Sequence, residues 1–242
     1  MKHSLKAALP VFALMLGLTA CDDDTDLTGT LLQTRVRFVN AIPDAATNLG
    51  LAVNNTVAAP AIDFAATGQC ALVSAGNAAL AYGAVNSTGT ALQGTPLETI
   101  GTQLLAPNSS YTVVATGTEA DPQFVIVNDV DIGTPGTGMV RLRIVNAGMD
   151  EPFDVYAIEP GETDLGTPLG TSIEFNTSTA FIDVPVASSQ LVFTTAGTTD
   201  EVFTTSVGTL TQGAVRTVLL IPELSITGEE EEFQAIILQR CS

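Results

Sequence analysis

The chain has no tryptophan, a single histidine and only eight basic residues among 242. Both lysines, Lys2 and Lys6, and the one histidine, His3, lie in the first six residues. Everything from Cys21 onward is therefore free of His and Lys, with six arginines against 26 acidic residues, a formal net charge of −20. Each absence removes a class of chemistry. Without His there is no Ser-His-Asp triad, no Cys-His pair and no imidazole metal site. Without Lys there is no Schiff-base nucleophile and no P-loop. Without Trp the commonest sugar-stacking side chain is missing. With no basic patch to displace counterions, the chain does not read as a nucleic-acid binder, and anionic headgroups would repel its surface. Apolar runs are also short: the stretch from Ala8 to Leu18, broken by Pro10 and Gly17, falls below the about 20 residues a membrane-spanning helix needs.

That stretch has another reading. A basic start, a short apolar core and small residues before a break form a secretory signal. The break, Leu18-Thr19-Ala20-Cys21, resembles the bacterial lipobox. The resemblance implies a diacylglyceryl thioether on Cys21 and cleavage before it, with the membrane as partner through that lipid. Two or more acyl chains anchor stably, at roughly 0.8 kcal/mol per buried CH₂. The reading is thus residues 1–20 as signal peptide and 21–33 as tether. The tether opens with Asp22-Asp23-Asp24-Thr25-Asp26, too acidic for a core. It is a poor EF-hand, with Leu27 where Gly is needed and Gln33 where Glu is needed. At ~3.3 Å per residue it would reach at most about 40 Å. Asp22 resembles an inner-membrane retention signal of enteric bacteria, which leaves the choice of membrane open.

The remainder repeats. RVRFVNA from Arg35 matches RLRIVNA from Arg141, and Asp44 matches Asp150. Leu49–Val53 matches Phe153–Ala157, Leu104–Thr116 aligns with Thr209–Pro222, and Phe124–Val127 with Ala235–Leu238. Two units follow, 34–133 and 139–242, joined by a turn-rich linker at 134–138. The units read as all-β. Charged and apolar side chains alternate in Arg35–Val39 and Arg141–Val145, the signature of a half-buried strand. Further strands are expected at Tyr111–Ala115, Phe124–Val127, Phe181–Val186, Gln190–Thr194, Glu201–Ser206 and Val215–Ile221, with Pro185 marking an edge or an end. Short strands at 8–12-residue spacing in about 100 residues point to two tandem immunoglobulin-like β-sandwiches. RVRFVNAIPDA, FDVY at Phe153–Tyr156 and YTVVATG at Tyr111–Gly117 resemble the bacterial domain-of-unknown-function family numbered 4397. Gly50 departs from the Asp usual there, and Arg216 from the usual Tyr. The family implies tandem sandwiches on cell-envelope proteins and no established activity.

No residue is assigned a catalytic role, and no cofactor or metal is expected. Cys70 and Cys241 either form a disulfide, which an exported location permits, or remain two thiols. Asn40, Asn146, Asp44 and Asp150 read as turn-closing side chains. Arg35, Arg37, Arg141 and Arg143 read as solvent-face residues paired with neighbouring acids, or as a clamp for an acidic ligand. The acidic run at 229–232 reads as a solvated hairpin tip. Tyr82, Tyr111 and Tyr156 read as core or rim. The function expected is a lipid-anchored, non-enzymatic binding or spacer protein of the bacterial cell envelope, with an envelope protein or polysaccharide as partner. The alternatives are a calcium-stabilised adhesin using Asn128, Asp129 and Asp131, and a carboxylate-based glycoside hydrolase.

Overall fold

The computed structural model describes residues 32–130, 132–223 and 233–241. Cys21, the tether up to residue 31, Asp131 and the acidic run at 229–232 lie outside them. Among the described residues the regular elements are sixteen β-strands. The first eight are β1 (Gln33–Asn40), β2 (Leu49–Val53), β3 (Thr56–Ile62), β4 (Ala71–Ser74), β5 (Gly76–Ala84), β6 (Glu98–Leu105), β7 (Ser110–Gly117) and β8 (Pro122–Asn128). The second eight are β9 (Met139–Asn146), β10 (Phe153–Ile158), β11 (Gly170–Ile173), β12 (Ile182–Pro185), β13 (Gln190–Thr195), β14 (Glu201–Ser206), β15 (Val215–Pro222) and β16 (Phe233–Gln239).

Each set of eight builds a sandwich of two four-stranded sheets, and the connectivity is the same in both. The first set runs β4-β1-β7-β8 over β3-β2-β5-β6, and the second β12-β9-β15-β16 over β11-β10-β13-β14. This order differs from the ABED/CFG arrangement of immunoglobulin constant domains. In each repeat the first strand lies parallel to the seventh, with Val36 opposite Tyr111 and Leu142 opposite Arg216. Pro185 sits on β12, an edge strand, where its missing N–H interrupts no ladder.

Period-2 alternation decides what each strand buries. From β1, Val36 and Phe38 enter the first core with Leu51, Leu80, Tyr82 and Val113. The Phe38 and Tyr82 rings are 5.8 Å apart. The second core holds Leu142, Ile144, Val155 and Val218 around Phe153 and Phe193, whose rings meet edge-on at 5.2 Å. The opposite faces of β1, β7 and β8 pack on the opposite faces of β9, β15 and β16. Val39, Val114, Val125 and Val127 meet Val145, Leu219, Ile221 and Leu238 there. The two repeats thus stack as four sheets with three apolar layers. Strands β1 and β9 are consequently buried on both faces, which corrects the half-buried reading of their alternation.

Strands β3, β4, β5, β6 and β11 carried little signal in the sequence. They are rich in Ala, Gly, Ser and Thr, such as GNAALAYGA in β5. Backbone irregularity adds to this: the β2–β3 register shifts twice, and Ala61 has φ of 35°. Ladder pairing and a neighbouring core stabilise these segments where side-chain propensity does not.

Candidate functional site

The seam between the repeats holds the most concentrated polar chemistry. Arg37 and Arg143, at equivalent positions of β1 and β9, are each 6% exposed. This corrects the solvent-face reading for both: their faces are covered by the other repeat. Arg37 donates from Nη1 to the Gln239 carbonyl (2.7 Å) and from Nη2 to Thr112 Oγ1 (2.9 Å). Arg143 donates from Nη1 to the Asn128 carbonyl (2.6 Å) and from Nη2 to Thr217 Oγ1 (3.0 Å). Strand register makes Gln239 the counterpart of Asn128, so the contacts are reciprocal, as in an isologous dimer interface. The symmetry breaks at one residue. Asp129 follows Asn128 and binds Arg143 Nη2 at 2.7 Å, whereas Arg240 follows Gln239. Among the described residues Arg37 therefore has no carboxylate bonded to it. Burial lowers the pKa of both arginines; Asp129 opposes that shift, and Arg143 reinforces it at Arg37. Arg143 Nε is buried without a hydrogen-bond partner among the described residues, and the Phe181 ring lies 4.3 Å from the guanidinium carbon.

The other two arginines of this set differ. Arg141 forms an exposed two-bond pair with Asp183, at 2.6 Å from Nε and 2.9 Å from Nη2, and also donates to the Ile132 carbonyl. The hydrogen bond from Arg141 holds Asp183 below the usual carboxylate range. Arg35 is partly exposed. At the end of the seam, Cys70 before β4 and Cys241 after β16 are joined by a disulfide, with Cα atoms 5.9 Å apart, which links the two repeats covalently.

Asn40 and Asn146 are buried and serve the turn after the first strand. Asn40 Oδ1 accepts from the Ile42 N–H and Asn146 Oδ1 from the Met149 N–H. Each also donates to a carbonyl on the opposing sheet, Ile62 (3.1 Å) and Ile173 (3.1 Å), so the pair ties the two sheets of its sandwich. Asp44 is exposed and caps the Glu119 N–H at 2.9 Å, and Asp150 is exposed. Of the calcium candidates, Asn128 and Asp129 serve Arg143, and Asp131 lies outside the described residues.

Each repeat carries a groove on the outer face of its outer sheet, at matching positions. The first, about 400 Å³, has Ala52, Ala79 and Ala81 as floor and Leu92 and Pro96 as wall. The second, about 540 Å³, has Tyr156 and Val192 as floor, with Asp164 and Glu201 at its sides. Register equates them: Ala52 pairs with Ala81, and Tyr156 with Val192. Gly50 explains part of the difference. A Cβ there would stand 2.7 Å from the Ala59 carbonyl and run into Val85, because the β5–β6 connection lies over the sheet. The counterpart Asp154 occupies that space in the second repeat, accepting from the Ser172 N–H (2.8 Å) and the Gly197 N–H (2.9 Å). The second groove was not singled out from the sequence. Alternation in Phe153–Ile158 would have found it, since Phe153 and Val155 are core residues and Tyr156 must face away.

A sequence profile described as a domain of unknown function, DUF4397, matches residues 34–156. The chain belongs to this family. The match spans β1 through β9 and most of β10, and the rest of the second repeat continues the same strand order. No curated protein matches. Among solved structures, a protein of Bacteroides fragilis NCTC 9343 provisionally described as a cell adhesion protein aligns over 87% of this chain and 98% of its own, at 9% identity and a TM-score of 0.20.

Proposed function

We propose that this is a lipid-anchored protein of the bacterial cell envelope, of the non-enzymatic binding or spacer type. The sequence Leu18-Thr19-Ala20-Cys21 after a short apolar run carries the reading. An acidic tether follows it, and an acidic body needs a lipid to stay at an anionic membrane. Membership of DUF4397 is compatible with this role. A disulfide between Cys70 and Cys241 accords with an oxidising compartment outside the cytoplasm. The two stacked sandwiches would act as a rigid block, with an envelope protein or polysaccharide meeting its outer loops.

Cell fractionation tests the anchor. The protein is expected in the membrane fraction and in the detergent phase, with diacylglyceryl on the N-terminal Cys21 by mass spectrometry. The Cys21→Ser variant is expected in the soluble fraction. A wild-type protein recovered soluble, with an unmodified Cys21, would overturn the proposal.

A further inference from the structure

The groove on the second repeat differs from its counterpart in ways that define a ligand. Its floor is Tyr156, 8% exposed, whose ring is packed on the sheet while its hydroxyl makes no hydrogen bond among the described residues. The hydroxyl is the polar tip of an otherwise buried side chain and stays accessible from the groove. Here the hydroxyl faces a cavity within the size range of small-molecule sites. Two carboxylates flank it. Asp164 Oδ1 accepts from the Gly166 N–H (3.0 Å) and Glu201 Oε1 from Thr204 Oγ1 (2.7 Å), which leaves one oxygen of each uncommitted among the described residues. Thr163 and Thr199 add hydroxyls at the rim. No arginine lines the groove, and the ion pairs among the described residues, Arg141–Asp183 and Arg143–Asp129, involve neither acid.

We infer that this groove binds a ligand bearing an organic ammonium group, seated at Tyr156 between Asp164 and Glu201. An aromatic ring attracts a cation through its quadrupole. Two carboxylates supply charge-assisted acceptors for the ammonium N–H groups. The counterpart groove of the first repeat, floored by alanines, has neither feature. The inference takes the binding side of the function proposed above, and its failure would leave the anchored-spacer reading untouched, because fractionation tests that separately.

Isothermal titration of the detergent-solubilised mature protein with cadaverine tests it, with 1,5-pentanediol as the neutral analogue. Saturable binding of cadaverine alone is expected. Asp164→Asn and Glu201→Gln should each weaken it about tenfold, and Tyr156→Leu should weaken it as well. Glu159→Gln, an exposed acid that does not line the groove, should leave it unchanged. Thermal midpoints of the exposed-acid variants report that the fold is intact. Equal binding of the diol would make this a polyol site and overturn the inference. So would equal weakening by Glu159→Gln, which would mean diffuse attraction to an acidic protein. Absence of saturation, or calcium displacing the amine from the same residues, would overturn it too.

Discussion

Asp129→Asn removes the carboxylate bonded to Arg143 within the inter-repeat seam while keeping its shape. Arg143 and Asp129 side chains are 7% and 8% exposed, with 2.7 Å between Nη2 and Oδ1. Removing one partner of a buried pair costs about 3–5 kcal/mol, because the other charge stays buried and uncompensated. Here Arg37 adds a second buried cation whose charge Asp129 also balances. Against that, Arg143 keeps the Asn128 carbonyl and Thr217 Oγ1 as acceptors. The low end, about 3 kcal/mol, is therefore expected, or roughly a hundredfold in the unfolding constant. The apolar contacts of Val39, Val145 and Leu219 do not change, so the loss is electrostatic. The assay is urea unfolding followed by circular dichroism, comparing midpoint and slope with wild type. Arg37→Met supplies the control. It removes the arginine with no bonded acid, and the exposed Gln239 lets its carbonyl turn to water. Alone it should be neutral or stabilising, and in the Asp129→Asn background it should recover part of the loss. A cost below about 1 kcal/mol, the level of an exposed pair, would refute the buried-charge reasoning. A double variant no more stable than Asp129→Asn would do the same.

Three other outcomes are expected. Reducing the Cys70–Cys241 bridge, which spans 171 residues, should lower stability by about 5 kcal/mol in the chain-entropy limit and by about 2 kcal/mol at least; intact mass and urea midpoints with and without reductant read this, and two free thiols in the native protein would contradict it. Burial, with Glu98 adding to it, raises the Tyr82 phenol above its ordinary value, and the hydroxyl donates to the Gln123 carbonyl at 2.6 Å. Its contribution is complete below the unfolded phenol pKa of about 10 and is lost as pH rises from there through the higher folded value, at up to about 1.4 kcal/mol per pH unit. Tyr82→Phe should start about 1 kcal/mol lower and decline less above pH ~10, whereas parallel alkaline curves would count against the assignment. Gly50→Asp, which gives the first repeat the residue of the second, should cost about 1–3 kcal/mol by overpacking against Val85 and the Ala59 carbonyl; an unchanged thermal midpoint would mean that the β5–β6 connection yields freely.

Much of the architecture was legible before any coordinates. Alternation, β-branched residues and a repeat offset near 105 placed strands at β1, β7–β9 and β12–β15 and made the chain all-β. The pairing of Phe124–Val127 with Ala235–Leu238 is the correspondence that the β7–β8 and β15–β16 registers give. Pro185 announced an edge because a missing N–H is a local property. The alanine-rich strands β3–β6 were not legible, since their order comes from neighbours and not from their own side chains.

The sequence by itself determined which side chains of Arg35–Val39 share a face, because a strand's period is a property of the backbone. Only the tertiary structure decided what covers each face. Charge on alternate residues ordinarily marks the solvent side, yet here each sandwich lies over that side of the other: the second supplies the Gln239 carbonyl to Arg37, and the first supplies the Asn128 carbonyl and the Asp129 carboxylate to Arg143. The proximity of Cys70 to Cys241, and of Glu201 to Tyr156, has the same origin. Each joins residues far apart in the chain, and loop connections of that length leave their meeting to packing.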